Sequence, residues 1–220
     1  MRFLSKKDIA KNALTQAILS GRHPPGSFLR QNDIAAELGL SSTPVREAFS
    51  DLQVTGLIVH EAHRGFRVAE IDAQRLRHIY AARRLLEPET ARLAATRATG
   101  EAVEELRALF ADMKRERTAG RINRMMRIND DFHRTLLLQG GNPLLVEAIE
   151  RLWNSFPRFL PWTMEGRQEA SLAETGAILK AFEAGDPDAL AAAYSTHLDN
   201  ALAAFLTWLG NSTATHKDTP

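Results

Sequence analysis

Cysteine is absent from all 220 residues. Disulfides, cysteine-based zinc fingers and thiol catalysis are therefore excluded. No apolar run approaches the roughly 18–20 residues that a membrane-spanning helix needs. The opening segment, MRFLSKKDIAKNALTQAILSG, breaks its apolar positions with Lys, Asp and Gln. That pattern is unlike a signal peptide, so the expected location is cytoplasmic. Net charge is small too: 28 Lys plus Arg against 27 Asp plus Glu leave +1. This excludes a histone-like polycation but not a local basic patch. P-loop, GxGxxG, HExxH and nucleophile-elbow signatures are all missing, so the chain is not expected to be an enzyme.

Composition is that of a folded chain, with 25% charged and 44% hydrophobic residues. It changes along the sequence. Residues 1–70 carry a local charge of +2 and closely spaced turn signals (His23-Pro24-Pro25-Gly26, Gly39, Gly56, Gly65), while the remainder carries −1. Beyond residue 70 come long stretches of Ala, Leu, Arg and Glu, all strong helix formers. The expected organisation is a small mixed domain over 1–70, an all-helical one over 71–210, and a disordered tail over 211–220.

In the first segment, Ile9, Ala13, Ala17 and Ile18 mark a helix ending near Gly21. Ile34, Ala35 and Leu38 mark a second, stopped by Gly39. Val45, Ala48, Phe49 and Leu52 follow the i, i+3, i+4, i+7 spacing of a third, with Thr43 as its cap, Pro44 in its first position and Gly56 closing it. Two extended runs, Leu57–His60 and Gly65–Val68, then flank Glu61-Ala62-His63-Arg64. Three small helices and a hairpin make a winged helix-turn-helix.

If the third helix buries its apolar stripe, Ser42, Thr43, Arg46, Glu47 and Ser50 lie on its free face. Residues near such a helix's start can enter the major groove of duplex DNA, where Arg reads guanine. The tip His63-Arg64-Gly65 is basic and placed to approach the backbone. Taken alone, Arg46 reads more readily as a solvated surface charge or a member of an intrahelical pair.

The stretch FLRQNDIAAELGLSSTPVREAFSDLQVTGLIVHEAHRGFRV (28–68) resembles the winged helix of the GntR family of bacterial transcription regulators. The resemblance implies that Arg46 reads the operator. It departs at Ser42, where the family usually carries Arg, which removes one contact to base or phosphate.

The second segment shows four apolar stripes interrupted by polar residues. Leu76, Ile79, Tyr80, Leu86 and Thr90 share one with Arg83, on a helix expected over 73–98. Ile122, Met125, Phe132 and Leu136 share another with Asn129 and His133. Leu172, Leu179 and Phe182 share a third with Thr175, and Leu190, Tyr194, Leu198, Ala201 and Phe205 a fourth with His197. Buried polar groups are costly unless paired, so an internal polar cavity in a helical bundle is the expected resolution. Trp153, Phe156, Phe159 and Trp162, with Pro157 and Pro161, either wall that cavity or cover the core.

The segments RRLLEPETARLAA (83–95), NDDFHRTLLLQGGNPLL (129–145) and ILKAFEAGDPDALAAAYSTHL (178–198) resemble the FCD ligand-binding domain of the FadR-type subfamily. The fold is then mainly α: an N-terminal winged helix-turn-helix plus a C-terminal all-α helical bundle. The resemblance implies a small carboxylic acid as effector, with a divalent metal such as zinc or nickel held by an Asp or Asn and three histidines. Asn129, His133 and His197 fill three of those positions. Thr175 stands where a His is usual, so any metal site is expected to be weak. Arg83 matches an Arg able to pair with the effector's carboxylate. No acidic residue on the facing stripes is evidently placed to neutralise Arg83, which favours an anionic ligand.

The expected function is a homodimeric regulator, a repressor, binding a two-fold DNA operator under effector control. A metal-dependent enzyme using His133 and His197 and an unregulated DNA-binding dimer are the alternatives. The dimer surface is expected on either the winged helices or the first long helix near 76–86.

Overall fold

The computed structural model of the chain describes residues 5–19, 22–54, 56–62, 64–70, 72–156, 158, 162, 164 and 166–215, with the backbone alone at 19, 54 and 211–215. The chain separates into two compact units, one built on the segment through Ala73 and the other on Gln74–Trp153 and Phe159–Trp208. The expected helix stop at Gly21, the wing-tip residue His63, and Pro157, Phe159 and Pro161 lie outside the described residues.

The first unit opens with α1 (Lys6–Leu19). Ser5 and Asp8 start it reciprocally: the Asp8 amide donates to Ser5 Oγ at 3.1 Å, and that hydroxyl donates to Asp8 Oδ2 at 2.7 Å. Its core face is Ala10, Leu14, Ala17 and Ile18, while Ile9 is 45% exposed. The expected stripe through Ile9 and Ala13 is therefore rotated, because burying the larger Leu14 decides which face turns inward.

Next come β1 (Phe28–Leu29), α2 (Gln31–Leu38) and α3 (Ser42–Val54). Gly39 ends α2 at φ 63°, its amide donating back to the carbonyls of Ala35 and Ala36, a left-handed cap that glycine adopts without penalty. Val45, Ala48, Phe49 and Leu52 are all buried as the spacing predicts. The helix begins at Ser42, one residue before the expected cap. Thr43 is thus part of the exposed first turn rather than its cap.

β2 (Ile58–Glu61) and β3 (Gly65–Val68) form the hairpin, and β1 adds to its other edge in the order β1-β3-β2, all antiparallel. Leu29 opposes Phe66, whose ring meets that of Phe49 edge-on at 4.9 Å. This contact ties the wing to the helix beneath it.

The second unit is helical among its described residues: α4 (Ala73–Ala95), α5 (Gly100–Thr118), α6 (Ile122–Leu138), α7 (Pro143–Trp153), α8 (Arg167–Glu183) and α9 (Pro187–Thr215). α4 stops at Ala95, short of the expected residue 98, and carries Pro88 inside it. α9 continues to Thr215, five residues into the segment expected to be a disordered tail. Thr99 caps α5 by accepting from the Ala102 amide at 3.2 Å. Leu106, Met113, Met125, Phe132, Leu136, Ile149, Ile178, Phe182, Leu190 and Tyr194 join in one apolar core.

Candidate functional site

In the winged unit, burial of Val45, Ala48, Phe49 and Leu52 leaves Ser42, Thr43, Arg46, Glu47 and Ser50 on the exposed face of α3. The Ser50 hydroxyl bonds back to the Arg46 carbonyl at 3.2 Å. Arg64 is exposed beside Gly65, whose φ of 94° is a conformation that side chains resist.

Neighbouring cations are engaged within the unit. Arg67 donates to Glu61 and to Glu70, both at 2.6 Å. Lys7 and Lys11 flank Asp51 at 3.0 and 3.5 Å, and Arg22 pairs with Glu37 at 2.7 Å. Among the described residues Arg46 and Arg64 have no such partner. Arg30, exposed at the N-cap position of α2, is a further uncommitted cation that the sequence reading missed. Its signal was available as a basic residue immediately before the helix that crosses the DNA backbone in this motif.

In the helical unit, Arg83, Asn129, His133, Thr175 and His197 are all buried. The structure corrects the argument for an unmatched Arg83. Its Nε donates to Glu87 Oε1 at 2.6 Å and its Nη2 to Oε2 at 3.3 Å, one turn along α4. Trp153 Nε1 also donates to Glu87 Oε1, at 2.8 Å, and its side chain is buried in the apolar core. The guanidinium lies over the Tyr80 ring, 4.6 Å from its centre. Burial works against the charged guanidinium, but the Glu87 carboxylate outweighs it and raises the Arg83 pKa above its ordinary value.

A second ion pair, not foreseen from the sequence, lies on α8. Arg167 grips Glu174 with two parallel bonds of 2.8 and 2.9 Å. His197 Nδ1 meets Glu174 Oε2 at 2.8 Å, and Asn200 donates to Oε1 at 3.0 Å. Burial pushes the Glu174 carboxyl up, but the bonds from His197 and Arg167 hold it down at about 2. His197 in turn stacks on His133, with ring centres 4.9 Å apart and planes 28° from parallel. His133 Nδ1 shares a 3.0 Å hydrogen bond with Tyr194 Oη. Burial raises the pKa of that phenol well above its usual value, so it stays protonated. These contacts bring α6, α8 and α9 together at the level of the two rings.

Buried polar atoms with no hydrogen-bond partner on α6 and α8 include Asn129 Oδ1, Ser171 Oγ and Thr175 Oγ1. Ser171 sits one turn before Thr175 on α8 and was not singled out from the sequence. The residues do not fit a zinc-type centre. Among the described residues no group of three or more His, Asp or Glu side chains is placed to hold a metal. Two imidazoles and one amide oxygen are a poor set, and the hydroxyl of Thr175 does not replace a third imidazole.

Residues 6–68 match the bacterial regulatory proteins of the gntR family, and residues 78–200 match the FCD domain. This chain belongs to the GntR family. It is a DNA-binding transcription regulator with a C-terminal FCD domain.

Among its relatives is a probable D-xylose utilization operon transcriptional repressor from Paenarthrobacter nicotinovorans, 32% identical across 86% of this chain and 83% of that protein. The HTH-type transcriptional regulator McbR of Escherichia coli (strain K12) is 28% identical across 79% of each. The solved structure of E. coli McbR/YncC has the same fold, with a TM-score of 0.64 at 23% identity, covering 94% of this chain and all of that one. No helix among the described residues is long and apolar enough to cross a membrane.

Proposed function

We propose that this regulator acts as a homodimeric repressor in the cytoplasm, reading a two-fold operator and releasing it when a small molecule enters the helical unit. The observation that carries this reading is the exposed face of α3, where Arg46 stands uncommitted, as Arg64 and Arg30 do, while Lys7, Lys11, Arg22 and Arg67 are held in ion pairs. Ser42, Thr43 and Arg46 supply contacts in the major groove, Arg64 and Gly65 bring the wing to the backbone, and Arg30 adds a phosphate contact. Pairing supplies the second half-site, since one small module offers too few contacts for nanomolar specificity. Repression is supported by the name of the relative that is called a repressor. The function requires no catalytic step.

The effector site is proposed at Asn129, His133, Thr175, His197 and Ser171, together with Arg83. A small carboxylate of the kind the family resemblance implies would reach Arg83 only by displacing Glu87, which counts against it. Zinc or nickel would rest on Asn129, His133 and His197 alone and bind weakly.

Selection from a random duplex library with the full chain tests the DNA reading. A palindromic site bound by two chains in light scattering is the expected outcome. Enrichment of no sequence, or a monomer on the DNA, would refute it.

A further inference from the structure

We infer that the ligand of the helical unit is a neutral, polyhydroxylated small molecule held without a metal, an inference that rests on the proposed effector site. Two observations carry it.

The first is charge. Each buried arginine of the unit already owns a carboxylate: Arg83 has Glu87 and Arg167 has Glu174. An anion entering there would be a third negative charge in a set already balanced, and burying an uncompensated charge is costly.

The second is hydrogen-bond polarity. Asn129 Oδ1 is an acceptor and needs a donor, which an ionised carboxylate cannot supply. Ser171 Oγ and Thr175 Oγ1 can each donate and accept. Alcohol groups meet all three requirements, because each O–H donates while its oxygen accepts. Ser171 and Thr175 are fully buried and one turn apart on α8, and Asn129 is 8% exposed on α6, one turn before His133. The His133–His197 stack and the His197–Glu174 bond bring these helices to one level. Thr175 is central: in place of a metal-binding imidazole it offers a small hydroxyl.

Thermal shift and titration calorimetry on the full chain test this in the presence of EDTA. The probes are neutral five- and six-carbon aldoses and alditols, each paired with its aldonate. At least one neutral probe is expected to raise the melting temperature and to bind tenfold or more tightly than its aldonate. Ser171→Ala and Thr175→Val should each weaken it about tenfold, while Thr175→Ser should retain it. Both loss variants should melt, without probe, no lower than the parent, because they delete a buried hydroxyl that has no partner.

Binding of aldonates but not neutral probes overturns the inference. So does binding that appears only when zinc or nickel is added. Binding of no probe overturns it as well and assigns the polar atoms to buried water. Operator selection is scored separately, so failure of the regulator reading appears there and not in this panel.

Discussion

Arg83 and Glu87 form a buried ion pair one helical turn apart, with Nε 2.6 Å from Oε1 and side chains 7% and 1% exposed. The spacing i, i+4 makes the pair a property of α4 itself, present before any ligand arrives. An arginine on an apolar stripe invites the thought of an external anion. The partner was four residues away in the sequence, on the same stripe.

Breaking this pair from one side should be severe. Arg83→Ala leaves the Glu87 charge buried and uncompensated, with the Trp153 indole supplying a hydrogen bond but no charge, at an expected cost of about 3–5 kcal/mol. Combining Arg83→Met with Glu87→Gln removes both charges and keeps an oxygen for Trp153, and most of the stability should return. Urea unfolding of the full chain gives both values. A double variant as unstable as Arg83→Ala would show that charge pairing is not what the site supplies.

On the DNA side, Arg46→Ala should cost about 1–3 kcal/mol per half-site and relax preference at the base pair it reads. Arg64→Ala and Arg30→Ala should weaken binding evenly across sequences and flatten its salt dependence. Fluorescence anisotropy at several fixed salt concentrations, on operator and scrambled duplexes, separates the two behaviours. Equal affinity of Arg46→Ala and parent for the operator would remove Arg46 from the reading surface.

How much of this was legible in the sequence depended on the range of the interaction. The α3 face was readable because Val45, Ala48, Phe49 and Leu52 set a strong local period and all are buried. β1 was not, since two residues carry no alternation and form a strand only by pairing with Phe66 and Arg67 far along the chain. α5 and α7 were covered only by the general helical composition. The polar intrusions at Asn129, His133, Thr175 and His197 were visible as breaks in apolar stripes. What they touch was not, because Glu174 is partly buried and reaches its partners on α9 across 23 and 26 residues.

Gly140 tests how tightly α4 packs on the end of α6. A Cβ there would lie 2.8 Å from the Thr90 carbonyl oxygen and 3.1 Å from that of Leu137. Backbone oxygens cannot rotate aside, so Gly140→Ala must push the two segments apart, at an expected cost of about 1–3 kcal/mol. Gly100→Ala, at the start of α5 with nothing within 4 Å of the added carbon, should instead be neutral or stabilise by about 0.5 kcal/mol. Comparable destabilisation of both in thermal melts would contradict the packing argument.

Glu174 gives the helical unit a specific acid sensitivity. Its carboxyl titrates at about 2 in the folded chain, against roughly 4.3 for an unperturbed glutamate. A group whose folded value is depressed contributes its full stability above the unfolded value and loses it as pH falls towards the folded one. The window therefore runs from about pH 5 down to pH 2, where the unfolded chain takes up the proton first. At neutral pH, Glu174→Gln leaves Arg167 buried without its carboxylate and should cost about 3 kcal/mol. Its stability should then fall less steeply than the parent's between pH 5.5 and 3.5, because the residue that titrates is gone. Urea midpoints for both proteins at pH 7, 5.5, 4.5 and 3.5 supply the comparison. Parallel slopes across that range would mean that Arg167 and His197 do not hold the carboxylate as the geometry requires.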